Sequence, residues 1–221
     1  NIPLCGYVLN MSQREYKFKQ YIPIMQVDVK NIGKTPAQVL EDYKRMLTQL
    51  PTKVGNIAVL FFKDNIRERQ GFLDTSIEGW KASKSGVLKK AGGKMLIEKG
   101  NLLSGITQSV SGTKVMVYVI GVAAKYAEIH NTGGTITVTP KMRKFFWAKY
   151  YEFNKKIVLK KDGKTHTKAS IAINAVAEYY KNLALAKKLV IPKRKFIGNS
   201  TTLDNDIKKY IEDNLQTIFN G

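Results

Sequence analysis

The chain has 221 residues, 43% of them apolar, which is enough to bury a core in one large domain or in a domain with a substantial insertion, so disorder of the whole is excluded. It carries 37 Lys and Arg against 17 Asp and Glu, a formal net charge of +20, and one cysteine, Cys5. A disulfide framework and a cysteine-rich zinc site are excluded, because structural zinc takes four ligands and only His130 and His166 stand beside that thiol.

Taken in chain order, residues 1–24 read as a peripheral extension, or as an arm lying on a neighbouring subunit. The first residue is Asn, which fits a processed or partial start, with Met11 and Met25 as alternative starts. Ile2–Leu9 is apolar but has no basic segment before it and no small-residue cleavage site, so it fails as a signal peptide. Thr35-Pro36 is a helix start, followed by Val39, Leu40, Tyr43, Met46 and Leu47 at helical spacing up to Leu50. Pro51 is expected to end that helix and to open a second through Val54, Ile57, Ala58, Phe61, Phe62 and Ile66, closing at Arg67–Arg69. Phe72–Lys94 has no sustained period and reads as a loop with one anchor, Trp80. Ile106–Val110 and the alternating Val115, Val117 and Val119 flank Ser111-Gly112-Thr113, which predicts a hairpin with one buried face. Ala123–His130 then turns helical, Asn131–Gly134 stops it, and Thr135–Val138 alternates as a third strand.

The second half is more basic. Pro140 starts a helix through Met142, Phe145, Phe146, Ala148 and Tyr150 with lysines between the rings. Such interleaving serves base stacking beside phosphate-binding lysines, a membrane-surface helix, or simply core or subunit packing with solvated charges. Ile157–Lys161 and Lys164–Lys168 flank Asp162-Gly163 and predict a protruding basic hairpin; Ala169–Lys188 follows as a long helix. The last helix starts at Thr201 or Thr202, with Thr201 and Asp204 at capping-box-like spacing, and carries Leu203, Ile207, Tyr210, Ile211, Leu215, Ile218 and Phe219.

Three segments occur in an order that resembles the phage virion morphogenesis family, the tail-completion proteins of contractile-tailed phages: Lys99–Ile106, Val117–Gly134 and Ile191–Gly198. Gly100, Leu102, Ile106, Tyr126, Ala127, His130, Gly133, Gly134, Pro192, Arg194, Phe196 and Gly198 fall on the family's pattern, with Leu103 beside them. The chain departs from it at Gly105, where a serine is usual, at Asn131, where glutamine is frequent, at Ile197 in place of leucine, and in the long segment between Pro140 and Val190. The resemblance implies an α+β subunit whose helices pack on a small antiparallel sheet, with residues 25–140 and 190–221 as the family-like domain and 141–189 as a basic helix–hairpin–helix insertion.

The search for catalytic constellations is negative. Gly86–Lys94 and Gly163-Lys164 lack the spacing of a phosphate loop. His130 is the one candidate base, and a helix-end histidine beside glycines reads as a cap or packing residue; Glu128 is the nearest carboxylate in sequence. No cofactor, metal or small-molecule substrate is expected, and no enzyme. No apolar run approaches the ~20 residues that cross a bilayer, so no membrane contact is expected. The excess charge still asks for a partner, nucleic acid or an acidic protein surface, unless the lysines serve solvation alone. The resemblance favours a structural virion protein in the phage tail or neck, assembled in the host cytoplasm into a homo-oligomeric ring that contacts tail or connector proteins. A basic nucleic-acid-binding protein is the alternative. Trp80, Lys141, Arg143, Lys144, Lys160, Lys161 and Lys164 are the candidate contacts for a partner or for DNA.

Overall fold

The computed structural model describes residues 33–81, 94–97, 99–158 and 167–220. The fold is α+β: helices with small antiparallel two-stranded sheets. The described residues divide into two compact units, one from 33–80, 94–97, 99–131 and 195–220, the other from 81, 132–158 and 167–194.

In the first unit α1 spans Pro36–Asp64. Thr35 caps it in a full capping box with Gln38, the start that the sequence announces. Pro51 does not end this helix, contrary to expectation; it lies inside a single run of 29 residues. A proline there lacks the N–H that would bond the carbonyl four residues back, a cost of about 3 kcal/mol. The apolar stripe runs in register through the interruption, from Tyr43 and Met46 to Leu50, Val54, Ala58 and Phe61, and Pro51 is itself buried, so packing holds the helix together. A π-helical turn follows at Asn65–Arg69, ended by Gln70 in the left-handed region. The expected loop after it begins instead with a short hairpin, β1 (Gly71–Leu73) against β2 (Ile77–Gly79). Two strands of three residues are too short to show a period, which is why the sequence conceals them. The remainder of that loop, 82–93, lies outside the described residues.

Next comes α2 (Asn101–Gly105), leading into the expected hairpin of β3 (Ile106–Ser111) and β4 (Lys114–Val119). Ile106 pairs with Val119, Gln108 with Val117 and Val110 with Val115, so these residues share a face, and Ile106, Val115 and Val119 are buried. α3 (Ala124–Thr132) follows, and α6 (Thr201–Asn220) completes the unit. Helix α6 starts where expected, but its cap is Ser200, whose Oγ accepts the Leu203 N–H at 3.2 Å. The core joins Leu50, Val54, Ala58, Phe61 and Phe62 of α1 to Ile106 and Val119 of the hairpin, and to Leu203, Ile207, Ile211 and Leu215 of α6, with Phe196 fully buried.

In the second unit the expected third strand forms as β5 (Gly134–Thr137), but it does not extend the β3–β4 hairpin. It pairs with β6 (Lys188–Ile191), from Gly134 opposite Ile191 to Thr137 opposite Lys188. The hairpin and third strand expected in one small sheet are therefore divided between two ribbons. Leu189-Val190-Ile191 before Pro192 is the sequence signal of β6, hidden because the helical pattern of 169–188 was extended to meet it. Between these strands stand α4 (Pro140–Asn154) and α5 (Lys168–Leu185), capped by Thr139 and Thr167. They enclose a second, smaller core of Val138, Phe146 and Ala184, with Met142, Trp147, Tyr180 and Leu183 against it. The predicted basic hairpin lies mostly outside the described residues, Lys160, Lys161 and Lys164 with it. At its base the Thr167 N–H donates to the Val158 carbonyl (3.3 Å) and the Val158 N–H to Ser170 Oγ (2.8 Å).

Candidate functional site

The motif residues of the first unit converge on one peptide segment. Phe196 is fully buried, and the backbone around it is held by three side chains distant in sequence. Asn65 Nδ2 donates to the Phe196 carbonyl (3.2 Å), while Asn131 Oδ1 accepts the N–H groups of both Phe196 (2.8 Å) and Ile197 (3.0 Å). Trp80 Nε1 donates to the Lys195 carbonyl (2.9 Å). The π turn sets Asn65 inward, where its Oδ1 also accepts from Arg69 Nη1 at 3.0 Å, so this buried amide is satisfied on both sides. Lys195 lays its ammonium 3.7 Å from the centre of the Phe72 ring. The β1–β2 turn touches the same end of the unit: Asp74 Oδ1 accepts the Thr201 N–H at the start of α6 (2.6 Å). That bond and then the Thr201 hydroxyl hold the Asp74 carboxyl below its usual range, with the Lys195 charge the weakest contributor.

Trp80, assigned above to partner contact, is thus half-buried and engaged inside its own unit. Leu102 and Ile106 are core, Leu103 is half-buried at its edge, and Gly100 precedes α2 with φ +69°. Ala127 of α3 is fully buried, and the His130 ring meets that of Tyr126 edge-on at 5.8 Å. Gly105 has a packing reason. A Cβ there would stand 2.8 Å from the Ile120 carbonyl oxygen, whose own N–H bonds the Gly105 carbonyl at 2.8 Å. Asn65 was not legible as a site residue, because an asparagine at a helix end has no distinctive spacing.

Of the remaining motif residues, Gly133, Gly134, Pro192 and Arg194 lie in the second unit. Gly133 has φ +75°, and a Cβ on it would come 2.9 Å from the Lys193 nitrogen, which ties the glycine pair at Gly133 and Gly134 to the Pro192 segment. Arg194 is buried; its Nε has no hydrogen-bond partner among the described residues, and burial pushes its pKa down. Gly198, back in the first unit, lies beside the Lys195 side chain.

On α4 the candidate contacts separate. Lys141, Arg143 and Lys144 are all exposed, but Arg143 also donates from Nε to the Ala184 carbonyl (3.0 Å), a cation on the last turn of α5 where the helix dipole favours it. The aromatic residues also separate. Phe146 and Trp147 pack inward, Phe153 stacks on Tyr180 at 5.8 Å, and Phe145 and Tyr151 are more than half exposed. Two surfaces are therefore available for contact: this helix face, and, in the first unit, the outside of the β3–β4 hairpin, where Met116, Tyr118, Ile120 and Val122 are exposed. Among the described residues no group of three His, Cys, Asp or Glu is placed to hold a metal ion, and no helix is long and apolar enough to cross a membrane.

The chain matches the phage virion morphogenesis family over residues 75–216 and belongs to it. Its role is therefore in phage virion assembly. No curated protein and no solved structure matches the chain.

Proposed function

We propose that the chain is a structural subunit that completes the phage tail or joins it to the head, that it works by binding rather than catalysis, and that it self-associates into a ring. The observation that carries the self-association is the outer face of the β3–β4 hairpin. The inner face packs into the core, while Met116 and Tyr118 on the outer face, and Ile120 and Val122 just beyond it, expose apolar surface. Within the sheet each strand has one partner among the described residues, so an edge of each is open to pairing with a neighbouring chain.

A second copy is the occupant this face suits. The segments of the first unit at 33–80, 94–131 and 195–221 hold 14 Lys and Arg and 12 Asp and Glu, so copies meeting there face little repulsion. Assembly in a closed ring also protects the open edges. Light scattering on the purified chain at low and high salt tests the proposal. A discrete multi-subunit species that survives high salt is expected, and Tyr118→Glu with Met116→Glu reduces it to a monomer with unchanged circular dichroism. A wild-type monomer, or a double variant that keeps the oligomer's mass, overturns it.

A further inference from the structure

The positive charge of this protein is concentrated. Residues 132–194 contain fifteen Lys and Arg and three acids, Glu152, Asp162 and Glu178. The two acids among the described residues are already engaged: Glu152 with Lys149 (2.7 Å) and Lys156 (3.1 Å), Glu178 with Lys181 (3.2 Å). The hydrogen bonds to Lys149 and then Lys156 hold the Glu152 carboxyl below its usual range. What α4 offers to solvent is therefore cationic. Lys141, Lys144, Phe145, Ala148, Tyr151 and Lys155 recur at three- and four-residue intervals and are all exposed, while Met142, Phe146 and Trp147 occupy the opposite, packed face. From Lys141 to the residue after the helix, Lys155, the stripe rises about 21 Å at ~1.5 Å per residue.

We infer that this outer face of α4 is a contact for double-stranded DNA, with Lys141, Lys144 and Lys155 neutralising backbone phosphates and Phe145 and Tyr151 packing against sugars between them. Three observations select this partner. A convex helix fits the groove and flanks of a duplex, whereas a single strand is held in a concave channel. The exposed cations of the stripe are lysines, point charges suited to phosphate; Arg143, the one guanidinium on α4, is exposed too but lies off the stripe and commits its Nε to the Ala184 carbonyl. The one carboxylate on α4, Glu152, is paired with both Lys149 and Lys156, so its charge is offset beside the stripe. The inference does not require a ring, and it stands or falls separately from self-association.

Fluorescence anisotropy of a labelled duplex with the full chain, between about 50 and about 200 mM salt, tests it. Wild type should bind with a steep salt dependence, and Lys141→Gln/Lys144→Gln/Lys155→Gln should lower the slope of log affinity against log salt by about 2.7, at ~0.9 per phosphate lost. Phe145→Ala/Tyr151→Ala should weaken binding with the slope unchanged. The control Lys53→Gln/Lys208→Gln/Lys209→Gln removes three exposed charges from the first unit and should leave both affinity and slope nearly as in wild type. The inference is overturned if the α4 triple variant keeps wild-type affinity and slope, or if the control loses as much. It is overturned too if poly-glutamate binds the wild-type chain more tightly than the duplex at equal salt, which would mark an acidic protein as the partner. Light scattering on the same variants separates a failure here from a failure of self-association.

Discussion

The two units of this chain differ in what organises them. The first is nearly balanced in charge and is held by a large core with a polar clamp inside it, where Asn65, Trp80 and Asn131 fix the backbone around Phe196. The second has a small core, Val138, Phe146 and Ala184 between two helices, and carries most of the excess charge. The difference is what the two proposals above require: a nearly neutral unit can pack against its own copies, while a basic unit attracts a polyanion without opposing that packing. The two tryptophans fall one to each unit, Trp80 in the first and Trp147 in the second, so the fluorine spectrum of a fluorotryptophan-labelled protein reports on both at once.

The largest expected effect comes from the cores. Phe196→Ala removes a fully buried ring and should cost about 3–5 kcal/mol, with the Trp80 signal losing its native position at lower temperature. Phe146→Ala should act first on the Trp147 signal. If either substitution moves both signals together by the same amount, the units fold as one and the comparison fails. Next is the clamp. Asn131→Ala leaves the Phe196 and Ile197 N–H groups without their acceptor, at about 1–3 kcal/mol for each buried donor, so thermal unfolding followed at Trp80 should fall clearly below wild type.

A smaller pair of substitutions sharpens the contrast. Gly105→Ser meets the Ile120 carbonyl and should destabilise the first unit by about 1–3 kcal/mol. Gly133→Ala puts a side chain at φ +75° against the Lys193 backbone and should destabilise the second unit by ~1 kcal/mol or more. Denaturant unfolding read at the two tryptophans assigns each loss to its unit. The smallest effect is acidic. Asp74 has a lowered folded-state pKa, so its contribution is complete above the ordinary carboxylate range and disappears as pH falls through the folded value. Asp74→Asn should therefore lower the Trp80 melting temperature slightly at neutral pH and flatten its decline in acid; equal declines in both proteins would remove Asp74 from the account.

The sequence by itself determined the elements whose signals are local. Thr35-Pro36 starts α1, alternation from Val115 to Val119 about a glycine turn makes a hairpin, and the apolar stripe from Leu203 to Phe219 makes α6, because capping, period and turn chemistry act within a few residues. It also identified Phe196, Gly133 and the basic character of α4. Only the tertiary structure decided which elements meet. Pro51 stays inside a helix because burial on both sides outweighs one missing hydrogen bond. β5 pairs with β6 rather than with the nearer β3–β4 hairpin, and strand period carries no information about partner choice. Arg143, exposed like Lys141 and Lys144, alone places its Nε on the Ala184 carbonyl at the end of α5, a difference set by where each falls on the packed helix. Asn65 and Asn131 become the supports of one buried peptide because chain segments 66 and 131 residues apart are brought within hydrogen-bonding distance, and separation on that scale leaves no trace in local sequence.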